Sequence, residues 1–89
     1  MRELLEKAEE LGGGIVLIEP SYFDEACVGH SFRGQGNPVL VYDYDLLVSC
    51  VMRNDDTSAD EAADYVDYNI VDSWYGKGTP IILHKFYDS

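Results

Sequence analysis

Ser58-Ala59-Asp60-Glu61 constrains this chain more than any other stretch. It has the form of a capping box, in which a serine hydroxyl takes the amide three residues on and the glutamate there reaches back. A helix therefore starts here, and its start fixes which residues share a face. Ala62, Val66, Ile70 and Trp74 form an apolar stripe. Asp60, Asp64 and Asp67 recur at four and three residues and form an acidic row on one face. Asp56 is placed to extend the row at its start, and Tyr65 and Tyr68 flank it. The helix is expected to end near Gly76-Lys77-Gly78.

The row belongs to a larger concentration of charge. Asp55, Asp56, Asp60, Glu61, Asp64, Asp67 and Asp72 fall within 18 residues, and no Lys or Arg occurs between Arg53 and Lys77. The whole chain, 89 residues long, carries 17 acids against 6 Lys and Arg, a net −11. That excludes a conventional binder of nucleic acid or of anionic membrane, because the phosphate contacts such binding needs would be repulsive. Four residues advance about 6 Å along a helix, a spacing comparable to that of phosphates along a nucleic-acid strand. The acidic row can thus imitate a nucleic acid, with Tyr65 and Tyr68 packing on arginine groups of the partner. The plain alternative is a solvated helix face whose first-turn acids are favoured by the helix dipole.

The rest of the chain reads as one α+β domain over 1–89. Residues 2–11 predict a helix with Leu4, Leu5, Ala8 and Leu11 on its inner face, stopped by Gly12-Gly13-Gly14. Ile15–Glu19 is a continuous apolar and β-branched run, the pattern of a buried strand. In residues 25–33, Ala26, Val28, His30 and Phe32 alternate with Glu25, Cys27, Gly29, Ser31 and Arg33, as in a half-buried strand. The turn Gly34–Pro38 and strand Val39–Tyr42 complete a hairpin. Asp43 or Asp45 caps a following helix bearing Leu46, Leu47, Cys50 and Val51. Thr79–Lys85 is the last strand, with Pro80 suited to an edge. The expected order is α-β-β-β-α-α-β, a mostly antiparallel sheet of about four strands with helices packed on it.

No stretch carries recognisable catalytic chemistry, so the chain reads as a non-enzyme without cofactor or metal. Asp56-x-Ser58-x-Asp60 opens like a calcium loop, but Glu61 stands where the sharp turn needs glycine. Cys27-x-x-His30 places its two side chains on opposite faces of a regular strand. The glycine clusters match no phosphate-binding pattern. Cys27 and Cys50 are expected as reduced thiols, with a bridge between them left open. The charged N-terminus is unlike a signal peptide, and no run approaches the length of a membrane span. A soluble, cytoplasmic protein is the expectation. A pocket built on Tyr42, Asp43, His30 and Asn69 is the remaining small-ligand or enzymatic reading.

Several segments, taken in order, are similar to a family of small, uncharacterised phage and prophage proteins. They are Phe23-Asp24-Glu25-Ala26-Cys27-Val28-Gly29, Val41-Tyr42-Asp43, Met52-Arg53-Asn54-Asp55, Glu61-Ala62-Ala63-Asp64-Tyr65-Val66-Asp67-Tyr68-Asn69, and Trp74-Tyr75-Gly76-Lys77-Gly78-Thr79-Pro80. The resemblance covers about residues 23–83 and implies a phage origin, a bacterial host cell and one α+β unit, with no catalytic residues to carry over. Asp55-Asp56-Thr57 departs from it, standing where a glycine and an apolar residue are expected. Together, resemblance and charge predict an acidic inhibitor of the anti-CRISPR kind. Its partner would be a basic, nucleic-acid-binding surface of a host defence protein, contacted through Asp55, Asp56, Asp60, Asp64, Tyr65, Asp67, Tyr68 and Asp72. The alternative is a self-assembling phage accessory protein, a homo-oligomer formed through the sheet face or the edge at 80–85.

Overall fold

The computed structural model describes residues 2–12, 14–74 and 76–86. They form helix α1 (Glu3–Leu11), a short 3-10 helix (Ser21–Ala26), strands β1 (Cys27–Arg33) and β2 (Asn37–Asp43), helices α2 (Tyr44–Asp55) and α3 (Ala59–Val66), a π-helical turn (Asp67–Val71) and strand β3 (Ile81–Leu83). The sheet has the order β1-β2-β3, so β2 is central. This is a small α+β domain. The N-terminal helix, the hairpin and the helical pair occur in the expected order, but residues 25–26 belong to the 3-10 helix, the second helix of the pair ends with the π-turn at Val71, and β3 is shorter than Thr79–Lys85.

Phe23, Leu40, Tyr42, Leu47, Cys50, Val51, Ala62 and Val66 make up the buried core. They come from the 3-10 helix, β2 and both helices of the pair, so the core ties every central element together. Burying side chains such as Phe23 and Leu47 contributes about 1.5–3 kcal/mol each. Both helices of the pair are capped from the sequence side. The Asp43 carboxylate accepts from the Leu46 amide at 3.0 Å, and the Ser58 hydroxyl accepts from the Glu61 amide at 3.2 Å.

Three expectations about the sheet are corrected. Among the described residues it has three strands, not four. Ile15–Ile18 is extended and half-buried but makes no ladder. Its Val16 amide donates to the Gly78 carbonyl at 3.0 Å, and its Ile18 amide to the Tyr42 hydroxyl at 3.1 Å. A side chain thus takes the place of a strand partner, and an apolar run alone does not distinguish the two cases. Gly78 is required here, since a Cβ on it would lie 1.7 Å from the Gly14 carbonyl oxygen.

The pairing is also mixed. β1 and β2 are antiparallel, whereas β2 and β3 are parallel. A parallel neighbour needs a long crossover connection, and the helical pair between β2 and β3 supplies it.

Finally, β1 is not a regular strand. Cys27 pairs with Tyr42 and Gly29 with Val41, so Val28 is the extra residue of a bulge. Gly29 sits at that bulge with open space where a Cβ would stand. Beyond the bulge, His30 and Phe32 pair with Leu40 and Pro38, on the side of the sheet that Leu40 turns to the core. They are nonetheless exposed, Phe32 at 59%, because α2 packs on β2, whereas β1 contacts β2 and the 3-10 helix.

Candidate partner-binding surface

α3 presents the acidic row as its spacing predicts. Ala62 and Val66 are fully buried, and Asp60, Asp64 and Asp67 are exposed on the other side. Tyr68 is 79% exposed and Tyr65 39% exposed. Two residues of the expected surface lie outside α3, just before it. Asp55 closes α2, and Asp56 is its left-handed C-cap at φ 52°, so Asp56 does not extend the row along α3. Asp72 caps the π-turn and is exposed. Trp74 leaves the predicted apolar stripe, because the π-turn and the end of the helix rotate it outward. It is 64% exposed, with the Arg33 guanidinium 5.2 Å from its ring centroid.

The acids differ in how they are held. Arg2 bridges Glu19 and Asp24, Arg53 pairs with Glu25, and Lys85 lies 3.0 Å from Asp43. Among the described residues, no ion pair reaches Asp55, Asp56, Asp60, Glu61, Asp64, Asp67 or Asp72. Asp67 has a neutral partner, accepting from the Tyr44 hydroxyl at 2.8 Å. That bond, together with burial, pushes the Tyr44 phenol up to about 12. The Tyr44 ring in turn packs on His84, centroids 4.7 Å apart.

Position along the helices matters as much as pairing. Asp60 and Glu61 lie in the first turn of α3, where the dipole favours them. Asp55, Asp56 and Asp72 lie at carbonyl ends, where each is disfavoured by about 0.3–1 kcal/mol. No basic residue occupies the last turn of α3 to offset this. The favourable first-turn arrangement therefore accounts for two of these acids and leaves three at a cost.

The residues of the small-ligand reading are not brought together. The Tyr42 side chain is buried and engaged by Ile18; burial pushes its phenol up to about 12. Asp43 caps α2. Burial opposes its charge, but the Leu46 amide and Lys85 outweigh this and hold its carboxylate below the usual range. His30 is exposed and stacks edge-on against Phe32 at 5.7 Å. Asn69 is turned to its own helix. Its amide donates to the Tyr65 carbonyl at 3.1 Å within the helix, and it borders a cleft of about 270 Å³ between α3, the π-turn, β3 and residues 16–19. Sequence reasoning did not find this cleft; a helix that widens into a π-turn leaves no periodic mark.

Cys27 and Cys50 are both free thiols, and burial pushes each of them up. The bulge places Cys27 and His30 on the same side of β1, since their partners Tyr42 and Leu40 are two apart on β2. Even so, among the described residues no three His, Cys, Asp or Glu side chains converge to hold a metal. Nor is any described helix long and apolar enough to cross a membrane. Comparison of the chain with family models, with curated proteins and with solved structures finds no match.

Proposed function

We propose that this protein is a non-enzymatic inhibitor that presents the α3 surface to a basic, nucleic-acid-binding site on a host defence complex. An anti-CRISPR protein acting in the bacterial cytoplasm is the concrete form. The observation that carries this reading is the placement of charge. Asp60, Asp64, Asp67 and Asp72 are exposed and outside every ion pair described, while paired acids occur elsewhere in the molecule. A surface that opposes folding through self-repulsion and an adverse dipole is explained if it is complementary to a cationic partner. The similarity of residues 23–83 to small phage proteins supports the same reading.

Immobilised protein should capture the defence complex from a defence-proficient bacterial lysate at low salt. It should release the complex at high salt or when competing nucleic acid is added. The variant carrying Asp60→Lys, Asp64→Lys and Asp67→Lys should fold and capture nothing. Equal capture by the folded variant would overturn the proposal.

The second reading, self-assembly as a phage accessory protein, draws on a different edge from the one first expected. β3 is only three residues long, a poor template for pairing. β1, the other edge, exposes Val28 at 53% and Phe32 at 59%. A monomeric mass in solution at micromolar concentration would count against it.

A further inference from the structure

We propose that the cleft beside α3 is an anchor site, which receives one apolar side chain from a cationic segment of the partner. This rests on the reading of the α3 surface given above. Val16, Ile18, Ile70, Pro80 and Ile82 contribute its apolar walls, and Tyr65 and Asn69 border it from the helix. Its volume of about 270 Å³ is below the ~300–1,000 Å³ of small-molecule sites. It exceeds the ~150 Å³ that suffices for a benzene ring. That is room for a Leu, Met or Phe side chain.

Charge specifies what flanks that side chain. Tyr65 adjoins Asp64 in the chain, Val71 at the cleft adjoins Asp72, and both acids are exposed and outside the ion pairs described. Glu19, on the opposite wall, is already held by Arg2. The complementary occupant is therefore a protein segment with Lys or Arg on either side of an apolar residue. In such a complex the buried anchor supplies affinity that salt does not remove, and the aspartates supply steering and register.

The test uses two labelled peptides and fluorescence polarisation. One has a Leu between runs of Lys and Arg; the other has Ser in its place. The Leu peptide should bind the intact protein roughly tenfold more tightly or better, and the ratio should persist at high salt. Asn69→Phe, at the exposed mouth, should bring the ratio close to one without changing the charge of the surface. As an independent reading, the backbone amide resonances of Ile18 and Ile82 should shift with the Leu peptide only. Equal binding of the two peptides overturns the anchor and leaves the α3 reading standing. Binding of neither overturns both. A Leu preference that survives Asn69→Phe, or that leaves Ile18 and Ile82 unmoved, places the anchor elsewhere and also overturns it.

Discussion

Four carboxylates between Glu19 and Asp43 and those along α3 are treated in opposite ways, while the glutamates of α1 are exposed like the α3 acids. Glu19, Asp24, Glu25 and Asp43 are matched to Arg2, Arg53 and Lys85. Asp24 and Asp43 are part-buried or buried as well, with side chains 22% and 3% exposed. The aspartates of α3 and its π-turn are exposed and lie outside every such pair. The difference separates two uses of the same side chain. On one side, acids cap a helix and tie the N-terminus to the 3-10 helix. On the other, acids form no ion pair among the described residues, and their contribution to folding is confined to the first-turn placement of Asp60 and Glu61 and the Tyr44–Asp67 hydrogen bond.

The largest effect should come from the paired side. Asp43→Ala removes the cap of α2 and leaves Lys85 without its carboxylate. It should cost about 2 kcal/mol, read as a lowered urea midpoint with an unchanged slope. A loss below ~0.5 kcal/mol would show that the pairing does little. Tyr42→Phe should cost about 1–2 kcal/mol, because the Ile18 amide loses its acceptor in a part-buried place.

Asp43 also gives the paired side a pH signature. Its folded pKa is depressed, so the stability it contributes is present above its unfolded value of about 3.9. That stability is lost as pH falls through the folded value. Asp43→Asn should therefore flatten the acid limb of the stability curve below about pH 4. A smaller effect of opposite sign belongs to α3. Asp72→Lys, at the negative end of the helix, should raise stability by about 0.3–1 kcal/mol. A loss of that size would mean that Asp72 holds the fold together, and the contrast would fail. Smallest in energy is a spectroscopic change. Asp67→Asn should bring the alkaline titration of Tyr44, held at about 12, back toward that of an ordinary tyrosine.

What the sequence makes legible follows physical range. Ser58 and Asp43 cap as expected, because a cap is settled within three residues of chain. The positive φ of Gly34 and Gly36 turns the hairpin between β1 and β2 for the same local reason. Events that depend on distant partners are not legible. Ile15–Ile18 has a strand's composition, yet the Tyr42 hydroxyl, 24 residues on from Ile18, takes its amide. The direction of β3 depends on the crossover from β2, which periodicity does not record. The bulge at Val28 changes which β1 residues share a side, and the π-turn moves Trp74 out of the apolar stripe and helps to open the cleft. Of the expected site, the row Asp60, Asp64 and Asp67 with Tyr65 and Tyr68 was readable, because it lies within one helix and the turn that continues it. Asp55 and Asp56 lie just ahead of α3, at the end of α2 and its cap, because α2 runs on to the very residue before that cap.

The most direct measurement is phage plating on a defence-proficient bacterial strain expressing this protein. Wild type should restore plaque formation. The folded Asp60→Lys, Asp64→Lys, Asp67→Lys variant should leave the defence intact. Restoration by both proteins, or by neither, would contradict the account.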